Sequence, residues 1–111
     1  MNTKRIDVSL KEEDKIEFLL RFLNGFLGLT PKELTVTAHF IRLNKNYPCG
    51  SADRKEVCKR MNLKNVQTLN NLIRSITQKK VFIRTGNGYE YASIVQNLSD
   101  LNKIQINVKD V

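Results

Sequence analysis

Between Asn65 and Lys80 the sequence reads NVQTLNNLIRSITQKK, and its polar side chains are of the kinds that hydrogen-bond flat partners edge-on. Val66, Leu69, Ile73 and Ile76 recur at i, i+3, i+7 and i+10, the spacing of one helical face, with Leu72 widening it. That phase turns Gln67, Thr68, Asn70, Asn71, Arg74 and Gln78 outward. Asn and Gln pair with adenine edges and Arg with guanine, so such a face suits base reading in a DNA groove. Lys64, Lys79, Lys80 and Arg84 flank it, where they would hold phosphates. Asn70 and Asn71 are poor helix formers placed side by side in mid-helix, against local propensity. The competing reading is an ordinary solvated helix face. Upstream, Arg54, Lys55, Lys59 and Arg60 form a second basic run, suited to backbone phosphates or simply to the surface.

Other chemistries find no support. Cys49 and Cys58 stand nine apart without a CxxC, and the single histidine, His39, sits inside an apolar helix. A zinc site needs about four spaced ligands, so no metal is expected. His39 reads as a structural, partly buried side chain and Cys58 as core. Gly86 and Gly88 flank one asparagine with no GxxxxGK to follow, which makes a turn rather than a phosphate loop. There is no GxSxG. Glu12, Glu13 and Asp14 are explained by a helix start, where the macrodipole favours anions. No catalytic residue, cofactor or small-molecule substrate is expected.

The charge distribution sharpens the first reading. The chain has 111 residues with 19 basic and 11 acidic side chains, net +8. Residues 1–28 and 94–111 are each neutral, so the whole excess lies in 29–93. A confined positive field attracts polyanions, although net charge also serves solubility. Hydrophobic residues make up 41%, enough for one core. No window approaches the ~18 apolar residues of a membrane span. The opening MNTKRIDVSLKEEDK has no apolar run of the kind a secretory signal requires. Two cysteines suit a reducing compartment better than a disulfide scaffold.

These side chains need elements to position them. Ile6, Val8 and Leu10 alternate as a strand would, over 3–10. In EEDKIEFLLRFLNGFLG the residues Ile16, Leu19, Leu20, Leu23 and Leu27 share one helical stripe, ended by Gly28. Phe18, Phe22 and Phe26 extend it sideways, wider than one core face needs, and Phe18 and Phe22 are expected to contact another chain or the terminal strands. Thr30-Pro31-Lys32-Glu33 is a capping box with proline at the first helical position. That helix runs through LTVTAHFIRL to about Lys45, with Leu34, Val36, Ala38, Phe40, Ile41 and Leu43 inward. NYPCG is a loop. Ser51 or Asp53 caps a third helix with Val57, Cys58 and Met61 inward, and Asn65 caps the fourth. Val81, Phe82 and Ile83 begin a strand. Thr85-Gly86-Asn87-Gly88 turns it, with Asn87 at the tip and positive φ in the turn, and Tyr89 to Ala92 return. SIVQNLSDLN is a loop, and Ile104, Ile106 and Val108 alternate as a last strand over 103–108.

Three helices followed by a β-hairpin within about 65 residues is the order of a winged helix-turn-helix. The segment 29–93, with LTPKE opening its first helix, NVQTLNNLIRSITQKKVF and a short glycine hairpin, resembles small winged-helix proteins of tailed bacteriophages. The expected fold is α+β and mostly helical: three core helices and a hairpin wing, an extra N-terminal helix, and short terminal strands. The divisions are 1–28 (strand and amphipathic helix), 29–93 (winged helix) and 94–111 (loop and strand). The resemblance implies that 66–80 enters the major groove and that 84–89 forms the wing, with double-stranded DNA as partner in the bacterial host cytoplasm. It equally implies a structural alternative, a ring, connector or head–tail subunit of the virion. In that case the terminal segments and Phe18, Phe22 and Phe26 serve self-association or contact with other phage structural proteins.

Overall fold

The computed structural model describes residues 12–97. The strands expected over 3–10 and 103–108 lie outside them. Among the described residues, five helices and one hairpin follow in the order α1 (Glu12–Leu27), α2 (Pro31–Leu43), α3 (Ser51–Arg60), α4 (Val66–Gln78), β1 (Phe82–Thr85), β2 (Gly88–Tyr91) and α5 (Ser93–Gln96). The architecture is α+β, mostly helical, with a small antiparallel sheet of two strands.

α1 buries Leu19, Leu20 and Leu27, with Ile16 and Leu23 half-buried beside them, and it packs on α2. Its end is closely determined. Gly28 takes φ 66°, a left-handed value that favours glycine, and its N–H reaches the Asn24 carbonyl at 2.9 Å. The Asn24 amide then acts as a strand partner for Leu29. It donates to the Leu29 carbonyl at 2.9 Å and accepts from the Leu29 N–H at 2.8 Å. The chain therefore enters α2 in a fixed direction.

The capping box forms as the spacing predicts. Thr30 Oγ1 accepts from the Glu33 N–H at 3.2 Å, and Glu33 Oε1 accepts from the Thr30 N–H at 2.9 Å. Glu33 does more than cap. It is 2% exposed, and its carboxylate also accepts from Lys79 Nζ at the far end of α4. Burial pushes this carboxyl upward, but hydrogen bonds from Lys79, Ser75 and Thr30 more than offset that and hold it at about 2.

α2, α4 and the hairpin share the centre. Val36, Phe40, Leu69, Ile73, Ile76, Val81, Phe82 and Tyr91 are all buried. Phe82 packs edge-on against Phe40 at 5.8 Å and against Tyr91 at 5.9 Å between centroids. Tyr91 Oη donates to the Asn44 carbonyl at 2.7 Å, and the Ala92 N–H donates to the Val81 carbonyl at 2.9 Å. One end of the hairpin is thus fastened to α2, and its other end projects.

The structure departs from expectation at five places. α2 stops at Leu43, because Asn44 is extended and its Oδ1 accepts from the N–H groups of Asn46 and Tyr47 at 2.9 and 3.1 Å. Neither Ser51 nor Asp53 caps α3. Gly50 holds that position, Ser51 is already helical, and the chain arrives through Cys49 at φ 70°. Val66 is 45% exposed, since the first turn of α4 overshoots the core that Leu69 and Ile73 enter. In the hairpin, Thr85 pairs with Gly88, and the positive φ falls on Gly88 at 155° rather than on the loop residues Gly86 and Asn87. Residues 93–96, expected as loop, form the single turn α5, which buries Val95.

Two outcomes follow from this packing. Ile73→Ala should lower stability by about 2–5 kcal/mol in denaturant unfolding. The Glu33 carboxyl lies below its ordinary 4.5, so its contribution is complete above pH 4.5 and is lost as pH falls toward about 2. Glu33→Gln should flatten that limb of the stability–pH curve. Lys79→Met, which strands the buried charge, should cost roughly 2–4 kcal/mol at neutral pH.

Candidate nucleic-acid interface

Asn65 starts α4 by accepting from the Thr68 N–H at 3.0 Å. Leu69, Ile73 and Ile76 then commit one face to the core. On the opposite face Gln67, Asn71, Arg74 and Gln78 are all exposed, at i, i+4, i+7 and i+11. They form one polar stripe running along the helix. Gln67 Nε2 donates to Asn71 Oδ1 at 3.2 Å. Arg74 and Gln78 make no side-chain bond among the described residues.

Two residues expected in that stripe do not lie in it. Thr68 is half-buried, and its hydroxyl shares the Asn65 cap at 3.0 Å. Asn70 is half-buried at the margin, where its Oδ1 accepts from Arg54 Nη1 at 2.8 Å.

Arg54 itself is not an outward phosphate contact. Its Nε donates to the Cys49 carbonyl at 2.9 Å, and its guanidinium lies 5.8 Å from the centre of the Tyr89 ring. It ties the loop before α3 to α4 and β2. Lys79 is likewise withdrawn, since its ammonium holds Glu33. Arg60 is paired along its own helix with Glu56 at 3.1 Å.

The remaining cations are differently placed. Lys55, Lys59, Lys64, Arg74, Lys80 and Arg84 are exposed and form no ion pair among the described residues. Glu17, Glu33 and Glu56 are each engaged by a cation elsewhere. Lys80 takes φ 62° just beyond Lys79, the residue that caps α4, and Asn87 is exposed at the hairpin tip. Arg84 stands across the strands from Tyr89, 6.0 Å from its ring centre. Two guanidinium groups therefore attend one aromatic ring, at distances suited to cation–π attraction. Tyr89 was readable only through the hairpin register that sets it opposite Arg84. The Arg54–Asn70 contact spans 16 residues and leaves no sequence signal.

The groups considered for other chemistry are held in inert settings. Burial pushes the Cys49 thiol up to about 12. Cys58 is half-buried against the core. Burial first, then Arg42 and Arg60, lowers the His39 pKa, and its Nδ1 has no hydrogen-bond partner. Among the described residues no three His, Cys, Asp or Glu side chains gather as metal ligands would, and no helix is long and apolar enough to cross a membrane.

A second surface lies on α1. Phe18, Phe22 and Phe26 are 47, 76 and 83% exposed. Gly25 lies between them on the same helix, and a Cβ built there would meet nothing within 4 Å. Nothing among the described residues requires a glycine at that point.

No family model, curated protein or solved structure matches the chain.

The side-chain placements predict a division in thermal and denaturant unfolding. Asn71→Ala and Arg74→Ala, on the free stripe, should change stability by no more than about 0.5 kcal/mol. Arg54→Ala should cost about 1–3 kcal/mol, because it strips a donor from the Cys49 carbonyl and from Asn70.

Proposed function

We propose that this chain is a non-enzymatic DNA-binding module of winged-helix type, similar to those of tailed bacteriophages. In this reading α4 is the helix that enters the major groove, and β1–β2 is the wing. The observation that carries it is the coincidence of two surfaces. The exposed stripe Gln67, Asn71, Arg74 and Gln78 carries donors and acceptors suited to base edges. Six exposed cations without ion pairs among the described residues lie on that helix (Arg74), on the preceding helix (Lys55 and Lys59), on the hairpin (Arg84) and just outside the two ends of α4 (Lys64 and Lys80). Phosphate neutralisation supplies most non-specific affinity, and such cations are free to provide it. Lys55 and Lys59 sit on α3, the helix that crosses the DNA backbone in this arrangement.

The reading makes a specific demand on salt. Affinity for duplex DNA should fall with a log–log slope of about −0.9 for each phosphate engaged, and Lys55→Ala or Lys59→Ala should each reduce that slope by roughly 1. Arg74→Ala should weaken binding by tenfold or so at constant folding. Fluorescence anisotropy at two salt concentrations checks all three. Affinity indifferent to salt, or no binding at low salt, removes the proposal.

One observation favours a second reading, a structural subunit of a phage particle. Three exposed phenylalanines in one helical row suit a protein partner. In that reading Phe18→Ser with Phe22→Ser yields a folded monomer from a native oligomer, as judged by light scattering and circular dichroism. An unchanged oligomeric state, or loss of the fold, counts against it.

A further inference from the structure

Resting on the DNA-binding reading, we infer that Asn70 and Arg74 together read guanine edges, and that Arg54 is the positioning residue that makes Asn70 a donor. A guanidinium offers only donors, so the Asn70 atom that faces Arg54 Nη1 at 2.8 Å is the carbonyl oxygen. The assignment of this amide is therefore forced by chemistry, unlike that of the Gln67–Asn71 pair, which could be reversed without loss. Arg54 is itself held from two further directions, by the Cys49 carbonyl at 2.9 Å and by the Tyr89 ring at 5.8 Å. The amide cannot turn over without leaving this guanidinium unmatched.

The opposite end of the amide is free. Asn70 Nδ2 has no partner among the described residues, and His39 Nδ1 is the one buried, unpartnered side-chain nitrogen or oxygen found there. Asn70 Nδ2 therefore reaches solvent. Arg74 follows one turn later on the same side of α4, exposed and unpaired. The margin of the stripe nearest α3 thus presents donors from two neighbouring residues, with the acceptor turned inward.

An asparagine that reads adenine must accept from N6 as well as donate to N7, whereas the Asn70 oxygen is turned inward onto Arg54. Cytosine presents a donor, which this face would oppose. Guanine presents two acceptors, N7 and O6, and matches it. The same donors would also suit phosphate oxygens, so the discriminating property is base preference rather than affinity.

The test uses the full native chain and three short duplexes of equal length at one salt concentration: a guanine-rich one, an adenine-rich one, and the guanine-rich one carrying 7-deazaguanine. The last keeps its pairing but lacks the N7 acceptor. The guanine-rich duplex should bind about tenfold tighter than the adenine-rich one, and 7-deazaguanine should remove most of that margin. Asn70→Asp still accepts from Arg54 but turns an acceptor outward, so its ratio of guanine to adenine affinity should fall to about one. Equal, salt-sensitive affinity for all three duplexes would overturn this inference and leave the DNA-binding reading standing. A guanine margin unchanged in Asn70→Asp overturns the role of Asn70. No binding to any duplex at low salt defeats both readings. If the variant fails to fold, the 7-deazaguanine comparison on the native chain still decides.

Discussion

The buried Glu33 carboxylate is the constraint on which the placement of the candidate interface depends. It sits at the start of α2 and binds Thr30 in its own cap and Lys79 at the end of α4. One charge thereby fixes where α4 stops along α2. Immediately beyond, Lys80 adopts φ 62°, the Val81 N–H reaches back to the Ile76 carbonyl at 3.2 Å, and Phe82 enters the aromatic cluster with Phe40 and Tyr91. The helix end, the reversal and the first strand form one continuous arrangement. A shift of α4 along its axis would separate Lys79 from Glu33 and withdraw Phe82 from Phe40. The polar stripe is displayed at a definite position because its helix is fastened at the C-terminal end.

Arg54 provides the complementary restraint from the other side. Its three contacts draw the loop before α3, the middle of α4 and the second strand toward one guanidinium. A charge that looks available for a partner is used internally, and the same holds for Lys79. The basic excess of the segment 29–93 is therefore not a uniform coat. Part of it builds the fold, and a remainder on α3, α4 and the hairpin stays exposed. The distinction matters physically, since a cation already holding a buried carboxylate has little to offer a phosphate, whereas an unpaired lysine gives up only water and counterions.

The features legible in the sequence were those with local causes. The Thr30–Glu33 box, the Gly28 stop and the core phase of Leu69, Ile73 and Ile76 each depend on neighbours a few residues apart. The exposure of Phe18, Phe22 and Phe26 could be read from an apolar arc too wide for one face. Val66 deceived, because periodicity gives the angle of a side chain but not whether the helix has yet reached the core. Arg54, Asn70 and Lys79 misled for a different reason. Their partners lie on other elements, and long-range pairing between polar side chains carries no periodic signature. Of the outward face inferred for α4, the four residues without tertiary partners stayed in the stripe, and Thr68 and Asn70 left it through a hydrogen bond or partial burial.

The surface on α4 and the phenylalanine row on α1 are distinct, so one experiment can separate what they do. Amide chemical shifts of the isotopically labelled full chain, followed by NMR as duplex DNA is added at low salt, test the account most directly. The predicted result is perturbation centred on Gln67, Asn71, Arg74 and Gln78, extending to Lys55, Lys59 and Arg84, with Phe22 and Phe26 unmoved. Perturbation confined to α1, or a spectrum that DNA leaves unchanged, would contradict it.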